Sequence, residues 1–346
     1  MSNTDIFELL KKLTAPMGVS GAEEAAAKAA AEILEKFGST QFDKATGNLF
    51  FRRKGWTDGR PTVMLDAHID EIGFIVNYIT DDGFLKVSAC GGIDRRMVLA
   101  QRVRIYGTVG EGRVLDGFTA SVPPHLAKDY SKAAEVGEVL IDTGMSGDEV
   151  KKYVQPGDRV LVENECTRLL GNRVTSKALD DRAGCAALIM AVAELDGEEL
   201  GCNVAVTLTS QEEVGERGAK TAAFTVEPDA AIEVDVSFAD TPDSSPEDCV
   251  KMGSGAMIGI SPSLSRKLSN DMISLAEELD IPYTIEVMGR TTGTNADQIS
   301  VSKSGCPTVT LSIPERFMHT PTEVIDTADI ENTAKLIAEY LRRYTI

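Results

Sequence analysis

V-T-S-K-A-L-D-D-R-A-G, at residues 174–184, joins a segment that can form a β-strand to a run of small residues that can form a helix. Two adjacent acids, Asp180 and Asp181, stand at the junction. In an open α/β sheet, ligands bind at the carboxyl ends of the strands, where such a junction lies. The structural alternative is a helix N-cap, in which one of the two aspartates accepts hydrogen bonds from free backbone N–H groups. The rest of the chain favours the ligand site.

Length and composition limit the possible classes of protein. A chain of 346 residues with 42% hydrophobic residues indicates two globular domains with real cores. The net charge of -19 disfavours nucleic acid and anionic membranes as partners, because both would repel it. No apolar run approaches the roughly 20 residues of a membrane helix, and we expect no signal peptide in residues 1–13. The six scattered cysteines contain no C-x-x-C and are typical of reduced thiols, so we expect a cytoplasmic protein.

The chain contains two different strand patterns. From about residue 171 onward, apolar strands alternate with helices, which is the order of an α/β sheet covered by helices. A strand at 61–67, preceded by an Ala-rich helix, belongs to the same pattern. Residues 73–163 instead contain short segments separated by Gly turns, which indicates a small barrel or sandwich. We therefore predict an α/β domain at 1–72 plus 164–346, interrupted by a β domain at 73–163.

Several local signals complete this outline. Ser20 to Glu23 and Ser146 to Glu149 have capping-box patterns, and the first predicts a helix that continues to Gly38. Residues 42–53 predict a pair of strands. Residues 122–134 predict an exposed loop in which His125 is either structural or solvent-facing.

Acids and histidines recur at the ends of the predicted strands. These groups are His68, Asp180, Glu212, Glu213, Asp235 and His319. Imidazole and carboxylate without thiolate suit zinc or cobalt. One economical two-metal site uses two terminal nitrogen ligands, two terminal carboxylates and one bridging carboxylate, and leaves one further carboxylate free to act as a base. Six groups fill those six places.

Two of these positions have informative neighbours. Glu212 and Glu213 follow a buried strand, and since adjacent residues diverge, one can bind metal while the other accepts a proton. Two acids are costly at such a place unless they are paired or bound to metal. His68 and Asp70 lie two residues apart, so they can point to one side of a strand. One division of labour is that His68 binds metal while Asp70 fixes its tautomer; the alternative is a surface His–Asp pair.

Five ordered motifs carry a family resemblance. They are L-D-A-H-I-D-E-I-G at 65–73, S-K-A-L-D-D-R-A-G at 176–184, S-Q-E-E-V-G at 210–215, E-V-D-V at 233–236 and M-H-T-P-T-E at 318–323. The sequence resembles the tetrahedral (TET) aminopeptidases, metallopeptidase family forty-two. This group contains the glutamyl and deblocking aminopeptidases, some of which carry an endoglucanase label. The resemblance spans nearly the whole chain.

The resemblance implies a zinc-peptidase-like α/β/α sandwich interrupted by a β-barrel-like dimerisation domain. It implies two divalent metal ions, zinc or cobalt with manganese as a further candidate. Their ligands would be assigned as follows: His68 and Asp235 to one metal, Glu213 and His319 to the other, and Asp180 bridging both. Glu212 would be the general base that takes a proton from the metal-bound water to give the attacking hydroxide, Asp70 would orient His68, and the Asp180–Asp181 peptide would be cis. Peptides with a free N-terminus would be the substrates, and dimers would assemble into a dodecamer.

One departure and several alternatives stay open at this point. Many relatives have Thr-Asp-Ala where this chain has Thr294, Asn295 and Ala296, in a loop near the substrate end of the family's site. A related deacylase or carboxypeptidase could use the same metal pair, and the latter would need Lys177, Arg182 or Arg290 to hold a carboxylate. A non-catalytic metal-stabilised assembly would not need Glu212. A glucanase is disfavoured, since sugar hydrolysis generally uses an opposed carboxylate pair without metals.

Overall fold

The computed structural model describes residues 6–122, 125, 132–242 and 244–344. The α-helices in these residues are α1 (Ile6–Thr14), α2 (Glu24–Leu34), α3 (Gly147–Val150), α4 (Leu179–Glu194), α5 (Arg217–Val226), α6 (Arg266–Glu278), α7 (Ala296–Ser300) and α8 (Thr327–Arg343). The strands of the main sheet are β1 (Gly38–Phe42), β2 (Leu49–Arg53), β3 (Thr62–His68), β10 (Thr167–Arg168), β11 (Arg173–Ser176), β12 (Asn203–Thr209), β13 (Ala230–Phe238), β14 (Ala256–Ile260), β15 (Tyr283–Val287), β16 (Thr308–Arg316) and β17 (Glu323–Asp326). The remaining strands are β4 (Gly73–Ile79), β5 (Leu85–Cys90), β6 (Arg102–Gly107), β7 (Arg113–Thr119), β8 (Leu140–Asp142) and β9 (Arg159–Val162).

The main sheet has eleven strands, of which nine run in the order β1-β2-β12-β3-β13-β16-β17-β11-β10. Strand β14 pairs with β16, and β15 pairs with β14. At its centre β12, β3, β13 and β16 are parallel, so their carboxyl ends meet at one edge of the sheet. All four are apolar segments buried nearly throughout, as expected where helices cover both faces.

Alternate residues of the central strands face the two helical layers. Val63 and Leu65 of β3 join the large core formed with α1, α2, α4, α6 and α8. Met64, between them, packs with Ala219 of α5 and Ile299 of α7 on the opposite face. The small residues of α4 allow this helix to lie close against the sheet, as the sequence predicted. The resulting α/β/α sandwich confirms the predicted architecture of the main layer.

A closed six-stranded barrel interrupts the sandwich, with the strand order β4-β5-β8-β7-β6-β9. It has its own core, which includes Phe74, Val87, Ile105 and Val160. Closure pairs every strand of this sheet on both sides and removes its edges. The predicted fold class, an α/β sandwich interrupted by a β-barrel, is therefore confirmed. The barrel strands lie between Gly73 and Val162, and the division into 1–72 plus 164–346 and 73–163 stays a prediction.

The local predictions had mixed outcomes. The Ser146 capping box forms at α3. The expected strand pair also forms, but its first strand, β1, lies at Gly38–Phe42 and so largely before the predicted range of 42–53. The Ser20 capping box was wrong: α2 begins at Glu24, ends at Leu34 and has no side-chain cap, because the Ser20 hydroxyl bonds to Asp70 instead. Most of the predicted loop at 122–134 lies outside the described residues, although His125 is exposed, which fits the solvent-facing alternative. Within the described part of the chain, no helix has the length and apolar character needed to cross a membrane.

Candidate metal centre

The candidate groups meet at the carboxyl edge of the central strands. His68 is the last residue of β3, Asp235 lies near the end of β13, and Glu212 and Glu213 follow β12. His319 belongs to the connection between β16 and β17. Because these parallel strands end side by side, the topology alone brings the four segments together. The fifth segment, which contains Asp180, enters from the start of α4.

The first group of donor atoms belongs to His68, Asp180 and Asp235, whose candidate atoms all lie within 4.8 Å of one another. His68 Nε2 is 2.9 Å from Asp180 Oδ1 and 3.8 Å from Asp235 Oδ1. All three side chains are buried. One nitrogen and two carboxylate oxygens therefore converge on one point.

The second group belongs to Asp180, Glu213 and His319, with the same upper limit of 4.8 Å between donor atoms. His319 Nε2 lies 3.4 Å from Asp180 Oδ2 and 3.4 Å from Glu213 Oε2. Asp180 thus presents Oδ1 to His68 and Oδ2 to His319. The two donor groups share this one carboxylate, as a bridging ligand would require.

The two adjacent aspartates have different environments. The backbone of Asp180 and Asp181 is not helical, so α4 is kinked there. The Asp181 carboxylate accepts a hydrogen bond from Gly184 N at 2.8 Å and so caps the part of the helix that follows the kink. Asp180 faces the two histidines, and the peptide bond between the aspartates is cis. The main-chain N–H of Asp180 donates to the buried Glu323 carboxylate at 3.3 Å. Asp181 therefore serves as the helix cap, and Asp180 is the aspartate that faces the histidines; its role as a ligand stays a prediction.

Asp70 contacts the Glu212–Glu213 turn as well as the histidine. Its carboxylate accepts hydrogen bonds from Glu212 N at 2.9 Å and Glu213 N at 3.3 Å, and from Ser20 Oγ at 2.6 Å. His68 Nδ1 lies 3.1 Å from the main-chain oxygen of Asp70 and 3.5 Å from the carboxylate. The carboxylate therefore fixes the turn that carries both glutamates. Sequence reasoning missed Ser20, because its pattern indicated a local cap.

Burial dominates the electrostatics of the cluster. It raises the pKa of Glu212 to about 7 and the pKa values of Glu213 and Asp235 well above their usual range. Burial acts in the same direction on Asp180, but hydrogen bonds from the two histidines outweigh it and lower the pKa of that carboxyl. A hydrogen bond to Asp180 raises the pKa of His319. Asp180 is therefore the carboxyl of the cluster that most favours the ionised form.

The residues present fit a pair of divalent cations. Their donors are imidazole nitrogen and carboxylate oxygen, which zinc and cobalt accept. The nearby buried cations Lys177 and Arg182 are already engaged with Glu71, at 2.8 and 3.5 Å. Burying several carboxylates close together is costly unless positive charge or protons lie between them. Two overlapping donor groups with one shared carboxylate provide places for two such charges.

Asn295, the residue at which this chain departs from many relatives, lies in the interior of the protein. Its side chain is buried and donates from Nδ2 to Asp66 Oδ2 at 2.9 Å and to Thr209 Oγ1 at 2.8 Å. Asp66 stands two residues before His68 on the same face of β3, so Asn295 contacts the layer beneath the donor groups. The Asn295 side chain therefore points into the protein at the start of α7, and the location of its loop near the substrate end stays an expectation from the family resemblance.

Comparisons with known proteins identify the family of this chain. A family model described as M42 glutamyl aminopeptidase matches residues 47–336. The lysyl aminopeptidase of Pyrococcus furiosus is 33% identical over 95% of this chain and 95% of its own. An aminopeptidase structure from Desulfurococcus kamchatkensis has a TM-score of 0.90 and 35% identity, covering 98% of this chain and 95% of that one. The TET1 peptidase of Pyrococcus horikoshii has a TM-score of 0.87 and 31% identity, covering 98% and 100%. The chain therefore belongs to the M42 family of glutamyl aminopeptidases and is a peptide hydrolase.

Proposed function

We propose that this M42 aminopeptidase depends on two divalent metal ions and removes N-terminal residues from peptides with a free α-amine. The observation that carries the proposal is the pair of donor groups that share Asp180. His68 and Asp235 would hold one ion, and Glu213 and His319 the other. Zinc and cobalt match these donors best, and manganese remains a candidate since imidazole and carboxylate also accept it.

The chemistry divides between the ions and the protein. The bound ions would polarise the scissile carbonyl and lower the pKa of the attacking water. Glu212 accepts the proton of that water and passes it to the leaving amine, as a general base and then a general acid. Asp70 keeps Glu212 in place by accepting the hydrogen bond from its main-chain N–H.

The charges around the site favour a substrate amine over a substrate carboxylate. The surplus of buried acids attracts a positively charged or hydrogen-bonding α-amine. A carboxypeptidase needs a cation that is free to hold a terminal carboxylate, but Lys177 donates to Glu71 and Arg182 donates to the main-chain oxygens of Ile69 and Leu13. Arg290, the third candidate, is exposed. We therefore favour the aminopeptidase over the carboxypeptidase.

Assembly and location are part of the same proposal. The TET1 peptidase of Pyrococcus horikoshii can assemble into a tetrahedron or a large octahedral shell. We propose that this chain also self-associates, first as dimers through residues 73–163 and then as a dodecamer. The six cysteines are free thiols in the structure, which supports a reducing, cytoplasmic location.

The Glu212→Gln substitution tests the assigned chemistry. It preserves the size and the main-chain hydrogen bond of Glu212 but removes the proton acceptor. We expect kcat to fall by about 100-fold or more while the protein still takes up two metal ions per chain. The matched control is Glu216→Gln, since Glu216 lies on the same loop and bonds to Gln298 instead of the donor groups. Unchanged turnover in Glu212→Gln would exclude the proposed role.

A further inference from the structure

The turn at Gly91 and Gly92 connects the barrel to the candidate metal centre. It follows β5, which ends at Cys90, and precedes a short 3-10 helix at Arg95–Met97. The turn thus belongs to the inserted segment and is separate from the strand ends that carry the donor groups. Its position was not predicted, because a G-G pair in a stretch of short strands indicates only a turn.

Gly92 lies against the ring of His319. A Cβ atom at Gly92 would be 2.8 Å from His319 Nδ1 and 3.1 Å from His319 Cε1, which is closer than Cβ atoms normally approach. Asp94 N also donates to the main-chain oxygen of His319 at 3.1 Å. The Nε2 side of the His319 ring therefore faces Asp180 and Glu213, and its Nδ1 side faces Gly92, which has no side chain.

Gly91 lies against Glu213, which belongs to the second donor group together with His319 and Asp180. A Cβ atom at Gly91 would be 3.0 Å from Glu213 Oε2 and 3.2 Å from Glu213 Cβ. Gly91 has a φ of +83°, a conformation that residues with side chains rarely adopt. The turn therefore contacts both Glu213 and His319, the two donors that Asp180 joins in the second group.

The first group is fixed in a different way. Both ring nitrogens of His68 have polar neighbours, with Nδ1 3.1 Å from the Asp70 main-chain oxygen and Nε2 2.9 Å from Asp180. His68 is almost completely buried, whereas 37% of the His319 side chain is exposed. His68 thus has polar partners at both ring nitrogens, whereas His319 has the acids at Nε2 and packs against the turn at Nδ1.

We propose that the Gly91–Gly92 turn is a positioning element for the second metal ion, so that the barrel segment controls how tightly His319 and Glu213 hold it. The inference rests on the proposed two-metal function. It predicts that the two ions respond differently to a change in this turn. The first ion, held by His68 and Asp235, should be insensitive to it, and the second should be sensitive.

Gly92→Ala is the cleanest variant. Gly92 does not have a left-handed φ, so alanine adds a methyl group without backbone strain. The methyl group must displace the His319 ring, and metal sites tolerate changes in ligand distance of only about 0.2 Å. We expect the affinity for the second ion to fall by about 10- to 100-fold, as happens when the support of a metal ligand is lost.

The test is a stepwise titration of metal-free protein with Co²⁺. Binding is monitored by visible absorption, and the number of bound ions is measured as metal content after gel filtration. The wild-type chain should take up two ions. Gly92→Ala should take up the first ion with unchanged affinity and the second only at higher cobalt concentration, where kcat recovers while KM stays constant. The control is Gly137→Ala, another residue of the inserted segment, where a Cβ meets no atom within 4 Å and φ is not left-handed.

A double-variant cycle separates positioning from general damage to the fold. His319→Gly removes the ring and suits the φ of +61° at that position. If Gly92 acts through His319, adding Gly92→Ala to His319→Gly should change neither the melting temperature nor the affinity for the first ion. Such a result supports the proposal even if Gly92→Ala alone folds poorly.

Three results would overturn the proposal. The first is normal affinity of Gly92→Ala for both ions, and the second is an equal loss of affinity for both ions. The third is a change in melting temperature or in affinity for the first ion when Gly92→Ala is added to His319→Gly. A wild-type chain that takes up fewer than two ions would instead refute the two-metal function itself, and the positioning role with it.

Discussion

Asn295 donates a hydrogen bond from Nδ2 to Asp66 Oδ2 across 2.9 Å in the interior of the protein. Asp66 precedes His68 by two residues and lies on the same face of β3, so the pair forms the layer directly beneath the metal ligands proposed here. Burial raises the pKa of Asp66 to about 7. An amide is suited to this place, because it can donate to Asp66 whether or not that carboxyl is ionised.

Asn295→Asp should therefore destabilise the protein. The substitution removes the donor and places a second carboxylate against Asp66, so we expect the free energy of unfolding to fall by about 3 kcal/mol at pH 8. Adding Asp66→Asn should recover a large part of that loss, because an amide again faces a carboxylate. Denaturant unfolding of the four proteins of this cycle measures the coupling. Equal stability of Asn295→Asp and the wild type would contradict the inward placement of this side chain.

The sequence predicted those parts of the fold and site that depend on patterns within a single strand or helix. Buried apolar strands and small-residue helices specify their layers, and parallel strands must bring residues such as His68 and Asp235 to one edge. Local pattern alone could not decide which of Asp180 and Asp181 faces the site, because both stand at one junction and only the backbone path separates them. The choice of Asp180 came from the family resemblance.

Contacts between distant segments were also beyond the sequence. Ser20 donates a hydrogen bond to Asp70 across fifty residues of chain. The capping-box pattern relates Ser20 only to residues within one helical turn, so it could not predict this contact. The Gly92–His319 contact joins two segments that no periodicity relates. Asn295 occupies the position of the aspartate in the Thr-Asp-Ala motif of many relatives, but such a motif does not predict whether the side chain points to solvent or to the interior.

Ser20→Ala separates the two interpretations of Ser20. A capping serine would affect only helix stability, whereas the partner of Asp70 should affect the Glu212–Glu213 turn. We expect kcat to fall by about tenfold with metal content unchanged. Ser146→Ala is the matched control, since Ser146 forms a true capping box at α3 and should change stability without changing kcat. A normal kcat in Ser20→Ala would argue against this support of the turn.

Lys177→Met tests whether Lys177 is structural. Lys177 Nζ donates to the buried carboxylate of Glu71 at 2.8 Å, and Arg182 is farther away, at 3.5 Å. Leaving Glu71 without this partner should lower the free energy of unfolding by about 3 kcal/mol, while KM for free-amine substrates stays nearly constant. Lys267→Met, which breaks an exposed pair with Asp271, should leave stability almost unchanged. A raised KM with normal stability would instead indicate a substrate contact.

Metal removal should make stability depend on pH in a defined direction. Burial raises the pKa values of Glu212, Glu213 and Asp235, so the folded chain binds more protons than the unfolded chain near neutral pH. The stability that these protons give is complete below the unfolded pKa values and is lost as pH rises through the folded ones. The melting temperature of metal-free protein should therefore fall between about pH 6 and pH 8.

Metal binding should oppose this trend, because the ligands must lose their protons to bind an ion. The gain in melting temperature on adding zinc should accordingly be larger at pH 8 than at pH 6. Thermal unfolding at both pH values, with and without the ion, measures it. A gain that is equal at both, or larger at pH 6, would contradict metal binding at these carboxyls.

The most direct test of the account uses a panel of aminoacyl-nitroanilides with free or N-acetylated amines. Chelator-stripped protein is assayed before and after zinc, cobalt or manganese is restored, beside Glu212→Gln. We predict release only from free-amine substrates, only with metal present, and almost none from the variant. Release from acetylated substrates at a comparable rate, or release that survives chelation, would contradict a metal-dependent aminopeptidase.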